Sequence, residues 1–325
     1  MPASNTPRRL KFRSLIFLVL IFLSINLSAF YLIHVRYQDS YYAAMIDKIN
    51  ILESTDSPRL IFVGGSNVAF GIDSKLISQQ TGYSVVNMGL NGNLGMRFML
   101  GMIEPYLRSG DVVLVIPEYD LILNTNESIG PAFIQAIIAN PNLLQYFNSP
   151  QEYYYFLKLF PYVYTQAIKT MVSDSIEKGC ILCENEEQIY FRSAFNPYGD
   201  IISHEKIHPI WEIGHLYLSF AQDDSNLHTY IDIVNQFSER IAESGAKMVM
   251  LYPATPASGD QKTQEMLSLM DEILRAELTI PVLGNPDQAW YSRSLFFDKL
   301  YHLSVDGRAL NTQRIIDQIS EYFIE

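Results

Sequence analysis

Cysteine is nearly absent from this chain, with two in 325 residues, Cys180 and Cys183. That excludes a small disulfide-stapled scaffold. Two thiols without further ligands also make a poor zinc site. Outside the cytoplasm, Cys180-Ile181-Leu182-Cys183 forms a local disulfide or stays unpaired. Its flanks, Glu-Lys-Gly before and Glu-Asn-Glu-Glu after, do not suggest the helix start that a redox pair requires. Basic residues are also scarce: 23 Lys+Arg stand against 35 Asp+Glu, for a net charge of −12. Five of the 23 fall in the first 36 residues, which contain no acid. The remainder holds 18 Lys+Arg against 35 Asp+Glu and carries −17. Such a domain repels polyanions and is not expected to bind nucleic acid. Internal repeats and low-complexity runs are lacking too, which excludes repeat arrays and linker-like disorder.

What is present begins with an uncharged apolar run from Leu15 to Ile33, preceded by Arg8, Arg9, Lys11 and Arg13. The run is about long enough to cross a bilayer as a helix. A cleaved signal peptide is the rival reading. The length of the run and the absence of a small-x-small site after it favour an uncleaved anchor, and Arg8-Arg9 opens no convincing twin-arginine pattern. The basic cluster places the N-terminus in the cytoplasm and the remainder outside it. The expected organisation is a tail over 1–13, a transmembrane anchor over 14–34, a juxtamembrane helix or stalk over 35–57, and a globular domain over 58–325. The polar break Ser54-Thr55-Asp56-Ser57-Pro58 marks the last boundary.

The 48% hydrophobic content suffices for one large core. Strands and helices alternate through the domain. Leu60–Val63, Ser84–Val86, Asp111–Ile116, Lys247–Leu251 and Ile280–Leu283 read as strands. Gly95–Leu107, Asp224–Ser244 and Gln261–Ala276 read as helices. The alternation predicts an α/β fold with a parallel sheet covered on both sides. Residues 124–223 break it with a long insertion, aromatic in its middle from Tyr153 to Tyr164. The insertion is either a lid or sugar-stacking platform near the strand ends, or a small helical subdomain with its own core. How aromatic residues usually partition favours the subdomain.

Two stretches carry the chemistry. Leu60-Ile61-Phe62-Val63-Gly64-Gly65-Ser66 is a short buried strand running into a glycine turn. Ser74 or Asp73 then caps a helix near Lys75. A strand, a tight turn bearing serine and then a helix exposes a hydroxyl and aims backbone N–H groups at one spot. The plainer reading is a Gly-rich turn with an incidental serine. Near the C-terminus, Asp298 lies four residues before His302, and Ser304 caps a final helix with Leu310, Ile315, Ile316, Ile319 and Phe323 on an apolar stripe. A carboxylate so close can hold the ring in one tautomer. Alone, His302 reads as an ordinary loop histidine.

Together, the Ser66 turn and the Asp298–His302 pair resemble the SGNH (GDSL-type) hydrolase superfamily, in blocks covering roughly Leu60 to the C-terminus without the insertion. The resemblance implies a three-layer, flavodoxin-like sheet and a catalytic triad of Ser66, His302 and Asp298, with no metal or cofactor. Asn87-Met88-Gly89-Leu90-Asn91-Gly92 is similar to the family block that completes an oxyanion hole. By that match Gly89 donates its N–H together with that of Ser66. There are two departures. The acid before the family's serine is Gly65 here, and the Asn after its third strand is replaced by Pro117-Glu118-Tyr119-Asp120, leaving Asn91 or Asn93 as substitutes. Both departures resemble the membrane-anchored branch that includes the D-alanyl transfer protein of teichoic acid synthesis and the alginate O-acetylation proteins. That branch implies an esterase or O-acyltransferase acting on acyl groups of a cell-surface glycan, and the transferase works beside a membrane-bound O-acyltransferase. A non-catalytic scaffold on the same fold is the alternative.

One further motif competes. His204-Glu205-Lys206-Ile207-His208 matches the H-E-x-x-H pattern of zinc hydrolases. The pattern needs both histidines on one face of a continuous helix, and Pro209 directly after the second opposes that. Glu212 and His215 lie nearby but at no familiar ligand spacing.

Overall fold

The computed structural model describes residues 6–125, 129–179, 189–208, 213–221 and 224–324. Branched apolar residues build its sheet. The strands are β1 (Arg59–Gly64), β2 (Ser84–Asn87), β3 (Val112–Ile116), β4 (Lys247–Leu251), β5 (Thr255–Pro256), β6 (Val282–Leu283) and β7 (Trp290–Tyr291). Five of them form one parallel sheet in the order β2-β1-β3-β4-β6, while β5 and β7 pair separately. The expected strand at Ile280–Leu283 is therefore present but short.

Side chains alternate across the sheet. Leu60, Phe62, Leu114, Ile116 and Val249 face one side, where they meet Ile77, Ile315, Ile316 and Ile319. Ile61, Val63, Val113, Val115 and Met250 face the other and join the larger core. Helices α4 (Ser74–Thr81) and α11 (Val305–Ile324) cover the first face. Helices α2 (Ala44–Ser54), α5 (Met96–Ile103), α9 (Ser225–Ala242) and α10 (Gln261–Glu277) cover the second. A parallel sheet buried on both faces is the α/β arrangement expected from the alternation. The chain leaves β1 for β2 on one side and returns to β3 on the other. The C-terminal ends of β1 and β3 thus flank a switch point, where sheets of this kind hold ligands.

Helix α3 (Ser66–Gly71) follows β1, and Asp73 rather than Ser74 caps α4, accepting from the Leu76 N–H at 3.0 Å. On α11 the expected apolar stripe is narrower than expected. Leu310 is 51% exposed, and Phe323 lies at the surface stacked on Tyr83. Only Ile315, Ile316 and Ile319 reach the core.

The stalk expected over 35–57 is corrected. Tyr41, Ala44, Met45, Ile49 and Leu52 are buried in the main core, so their helical spacing marks a face of the domain itself. Lys48 is buried with them, and its Nζ donates to the carbonyls of Asn87, at 2.9 Å, and Gly199. The globular body therefore begins near Tyr37, ahead of the boundary expected at residue 58.

Helix α6 (Tyr119–Leu123) leads into the insertion, whose described residues hold two α-helices, α7 (Pro131–Ala139) and α8 (Pro150–Lys178). Helix α7 buries Phe133, Ile134 and Ile137 in the main core, so among the described residues this helix joins the core of the domain rather than one of its own. Helix α8 starts with a capping box between Ser149 and Glu152 and stops at Gly179, whose φ of +66° suits glycine. Cys180, Cys183 and Glu212 lie outside the described residues. Helix α1 (Thr6–Arg36) is, among the described residues, the one helix long and apolar enough to cross a membrane.

Candidate active site

Two glycines let β1 run straight into the turn. A Cβ on Gly64 would lie 2.4 Å from the Ile116 carbonyl oxygen, and one on Gly65 would lie 2.4 Å from Glu118 Oε1. Neither position tolerates a side chain as the atoms stand. Ser66 therefore opens α3 at the C-terminal end of β1, and Glu118 follows directly after β3. The switch point thus carries one residue from each side.

At the far end of the chain, Asp298 and His302 occupy a tight loop whose Phe296 and Leu303 bridge antiparallel. His302 Nδ1–H donates to Asp298 Oδ1 at 2.7 Å, which leaves Nε2 available for a second partner. Ser66, Asn91 and His302 line one cavity of about 370 Å³, together with Tyr41, Tyr42, Gln135, Tyr190 and Lys299. Ser66, His302 and Asp298 thus converge, although Ser66 lies more than 230 positions before the other two in the sequence.

Several groups were not singled out from sequence. Phe70 lies one helical turn after Ser66 on α3 and stacks flat on the His302 ring, with centroids 4.0 Å apart and planes at 3°. It fixes the ring in the plane that the Asp298 bond selects. The Tyr190 hydroxyl donates to the Asp298 carboxylate and lies 3.2 Å from His302 Nδ1. Only Phe70 gave a sequence signal, its i+4 spacing from Ser66. Tyr190 arrives from the insertion, at a distance that no local pattern reads.

Burial sets the His302 titration first: it pushes the imidazole below its ordinary value, and the Asp298 carboxylate pulls it only partly back. The ring is therefore neutral at neutral pH, as a proton acceptor must be. Burial also resists ionisation of Asp298, but the hydrogen bonds from His302 and Tyr190 outweigh it and hold the acid below the usual carboxylate range. The pair is a neutral base oriented by a charged acid.

Glu118 changes the picture at the serine. Ser66 Oγ donates to Glu118 Oε1 at 3.1 Å, and the Asn67 N–H donates to the same oxygen at 3.2 Å. The carboxylate fills the space that a side chain on Gly65 would need, and the same holds at Gly92, whose Cβ would lie 2.7 Å from Oε2. An acid is thus present beside the serine after all, contributed by the end of β3 instead of by the preceding residue. Burial raises its titration above the carboxylate range, and the bonds from Asn67 and Ser66 counter that only partly.

The Gly89 N–H, expected as an oxyanion donor, already has a partner. It donates to Asn87 Oδ1 at 2.9 Å, and the Gly89 Cα packs so closely on α3 that a Cβ would meet Val68 at 2.5 Å. Gly89 is committed to holding β2 against α3. Asn91 does line the cavity, with its Oδ1 accepting from the Asn93 N–H at 2.9 Å.

The His204–His208 stretch does not form the helix that a zinc hydrolase pattern requires. It lies on a 3₁₀ turn, Ser203–Lys206. His204 is buried between Phe70 and Phe297, His208 is exposed, and Glu205 is ion-paired with Arg308. Among the described residues, no three His, Cys, Asp or Glu side chains group as metal ligands. Comparison with family models and with curated proteins finds no match for this chain.

Proposed function

We propose that this chain is a membrane-anchored, SGNH-like serine esterase or O-acyltransferase. The observation that carries the reading is one shared cavity, lined by a serine on a strand-to-helix turn and by a histidine bonded to an aspartate. Ser66 Oγ attacks the acyl carbonyl while His302 Nε2 takes its proton. The tetrahedral intermediate collapses, and His302 returns the proton to the leaving oxygen. The acyl group then sits on Ser66 until water or a sugar hydroxyl, deprotonated by His302, accepts it. Asp298 keeps Nδ1 protonated throughout and stabilises the imidazolium. In this reading the Asn67 N–H and the Asn91 amide take the developing oxyanion, and the former requires Glu118 Oε1 to be displaced. The substrate is an acylated glycan or other acyl ester outside the cytoplasm, α1 is the anchor, and a membrane-bound O-acyltransferase is the partner of the transferase form.

The second reading, a non-catalytic scaffold, is favoured by one observation. The Ser66 hydroxyl is bonded to Glu118, and the carboxylate occupies the N–H that an oxyanion needs. Labelling separates the two. A fluorophosphonate should modify the wild-type chain once, at Ser66, and should fail to modify Ser66→Ala. Absence of labelling in a folded wild-type protein sinks the enzyme reading and leaves the scaffold.

A further inference from the structure

Helix α8 presents a stripe to solvent that a soluble helix would not. Positions 154, 158, 161, 165, 169, 172 and 176 recur at spacings of three and four, and 157 lies three after 154 and four before 161, so they share one face. Leu157 is 72% exposed and Ile176 80%, with Tyr154 and Val172 also open. The polar members include Lys158 and Lys169, and no acid lies on the stripe, although the chain carries 35 acids against 23 basic residues. Apolar and tyrosine side chains flanked by lysines are the composition of a helix lying in a membrane interface.

Helix α8 is also held against α1. The Tyr164 hydroxyl donates to the Asn26 carbonyl at 3.1 Å, Phe160 packs on Phe30, and Arg36 is ion-paired with Asp174. Between the two helices runs an apolar groove of about 260 Å³, lined by Ala29, Leu32, Ile168, Met171, Val172 and Ile176 among others. A lipid chain suits it.

Length decides the depth. From Arg13, the last of the basic cluster, to Asn26 is 13 residues, or about 20 Å of helix. A bilayer's hydrocarbon core is about 30 Å thick. If α1 crosses it, the bare part below α8 is too short by about 10 Å. The bilayer must then rise to the level where α8 crosses α1. We infer that α8 is a second membrane element: its Tyr154–Ile176 stripe lies in the interface of the leaflet nearest the globular body, covered by lipid. This rests on the anchor reading of α1.

The test uses the full chain in phosphatidylcholine–phosphatidylglycerol vesicles containing nitroxide-labelled lipid. Single tryptophans are added at Leu157, Ile176, Leu20 and Leu310, with the parent chain supplying the background from Trp211 and Trp290. A nitroxide near the headgroups should quench roughly half of the added emission in Leu157→Trp and Ile176→Trp, as suits a ring seated about 5–10 Å deep. Leu310→Trp, on the opposite helical layer, should stay at background. If Leu20→Trp is quenched by a midplane nitroxide while positions 157 and 176 are not, the anchor stands and the inference fails. That result would give the stripe to a protein partner. If Leu20→Trp escapes quenching too, the anchor and the inference fall together. Equal quenching at Leu310 would mean unspecific adsorption and would also overturn it.

Discussion

His302 shows how three contacts decide what one side chain can do. Burial keeps it neutral, Asp298 fixes its tautomer, and Phe70 fixes its plane. Because the carboxylate raises the imidazole's proton affinity, Asp298→Asn should move the acid limb of the kcat/KM profile to lower pH while lowering its plateau. Acyl-ester hydrolysis followed from pH 4 to 9 reads both effects. An acid limb that stays in place would mean that Asp298 does not act on His302. Glu118 was legible only as a departure, an acid where an Asn was expected. Its carboxylate holds Ser66 and the Asn67 N–H by charge-assisted bonds, which an incoming carbonyl oxygen must break. A neutral amide is easier to displace, so Glu118→Gln should raise turnover at neutral pH by about tenfold, equivalent to about 1.4 kcal/mol. The ratio of the variant's rate to the wild type's should shrink as pH falls and Glu118 protonates. A variant slower than wild type at every pH would instead make the carboxylate a required group.

At the scale of elements, the sequence told most where a run of side chains was unambiguous. The strands at Leu60, Asp111 and Lys247 were legible because runs of branched apolar residues have few other uses, and long amphipathic helices such as α9 were legible from their period. Residues 37–52 read as a stalk because their apolar spacing looked irregular next to a long apolar run. What makes them part of the body is Lys48, whose amine satisfies two carbonyls at the junction of β2 and the segment around Gly199. No local pattern announces a lysine that is to be buried. Burial lowers its pKa to about 7, while a lysine in the unfolded chain titrates near 10.5. Between those values the unfolded chain binds more protons, so stability from this group rises with pH from about 7 to about 10. Full-chain unfolding free energy in detergent, taken as wild type minus Lys48→Met, should therefore climb by up to about 1.4 kcal/mol per pH unit across that window. A flat difference would mean that Lys48 stays charged in the core.

Over the whole molecule, the fold brings the two ends of the domain's sequence to one switch point and places the insertion beside them. The serine turn and the histidine loop could be read separately, and their convergence is a property of the sheet order. Tyr190, the α8 stripe and Glu118 were illegible as site or surface because each acquires its role from a neighbour distant in the chain. The claim on which the account depends is that Ser66 and His302 act as one unit. Its most direct measurement is acyl-ester turnover by Ser66→Ala, His302→Ala and the double variant, with thermal unfolding as the control for folding. Each single loss should remove roughly 10³-fold or more, and the double variant should be hardly slower than Ser66→Ala, because residues acting in one step are not additive. Near-normal turnover by a folded His302→Ala, or losses that multiply in the double variant, would contradict it.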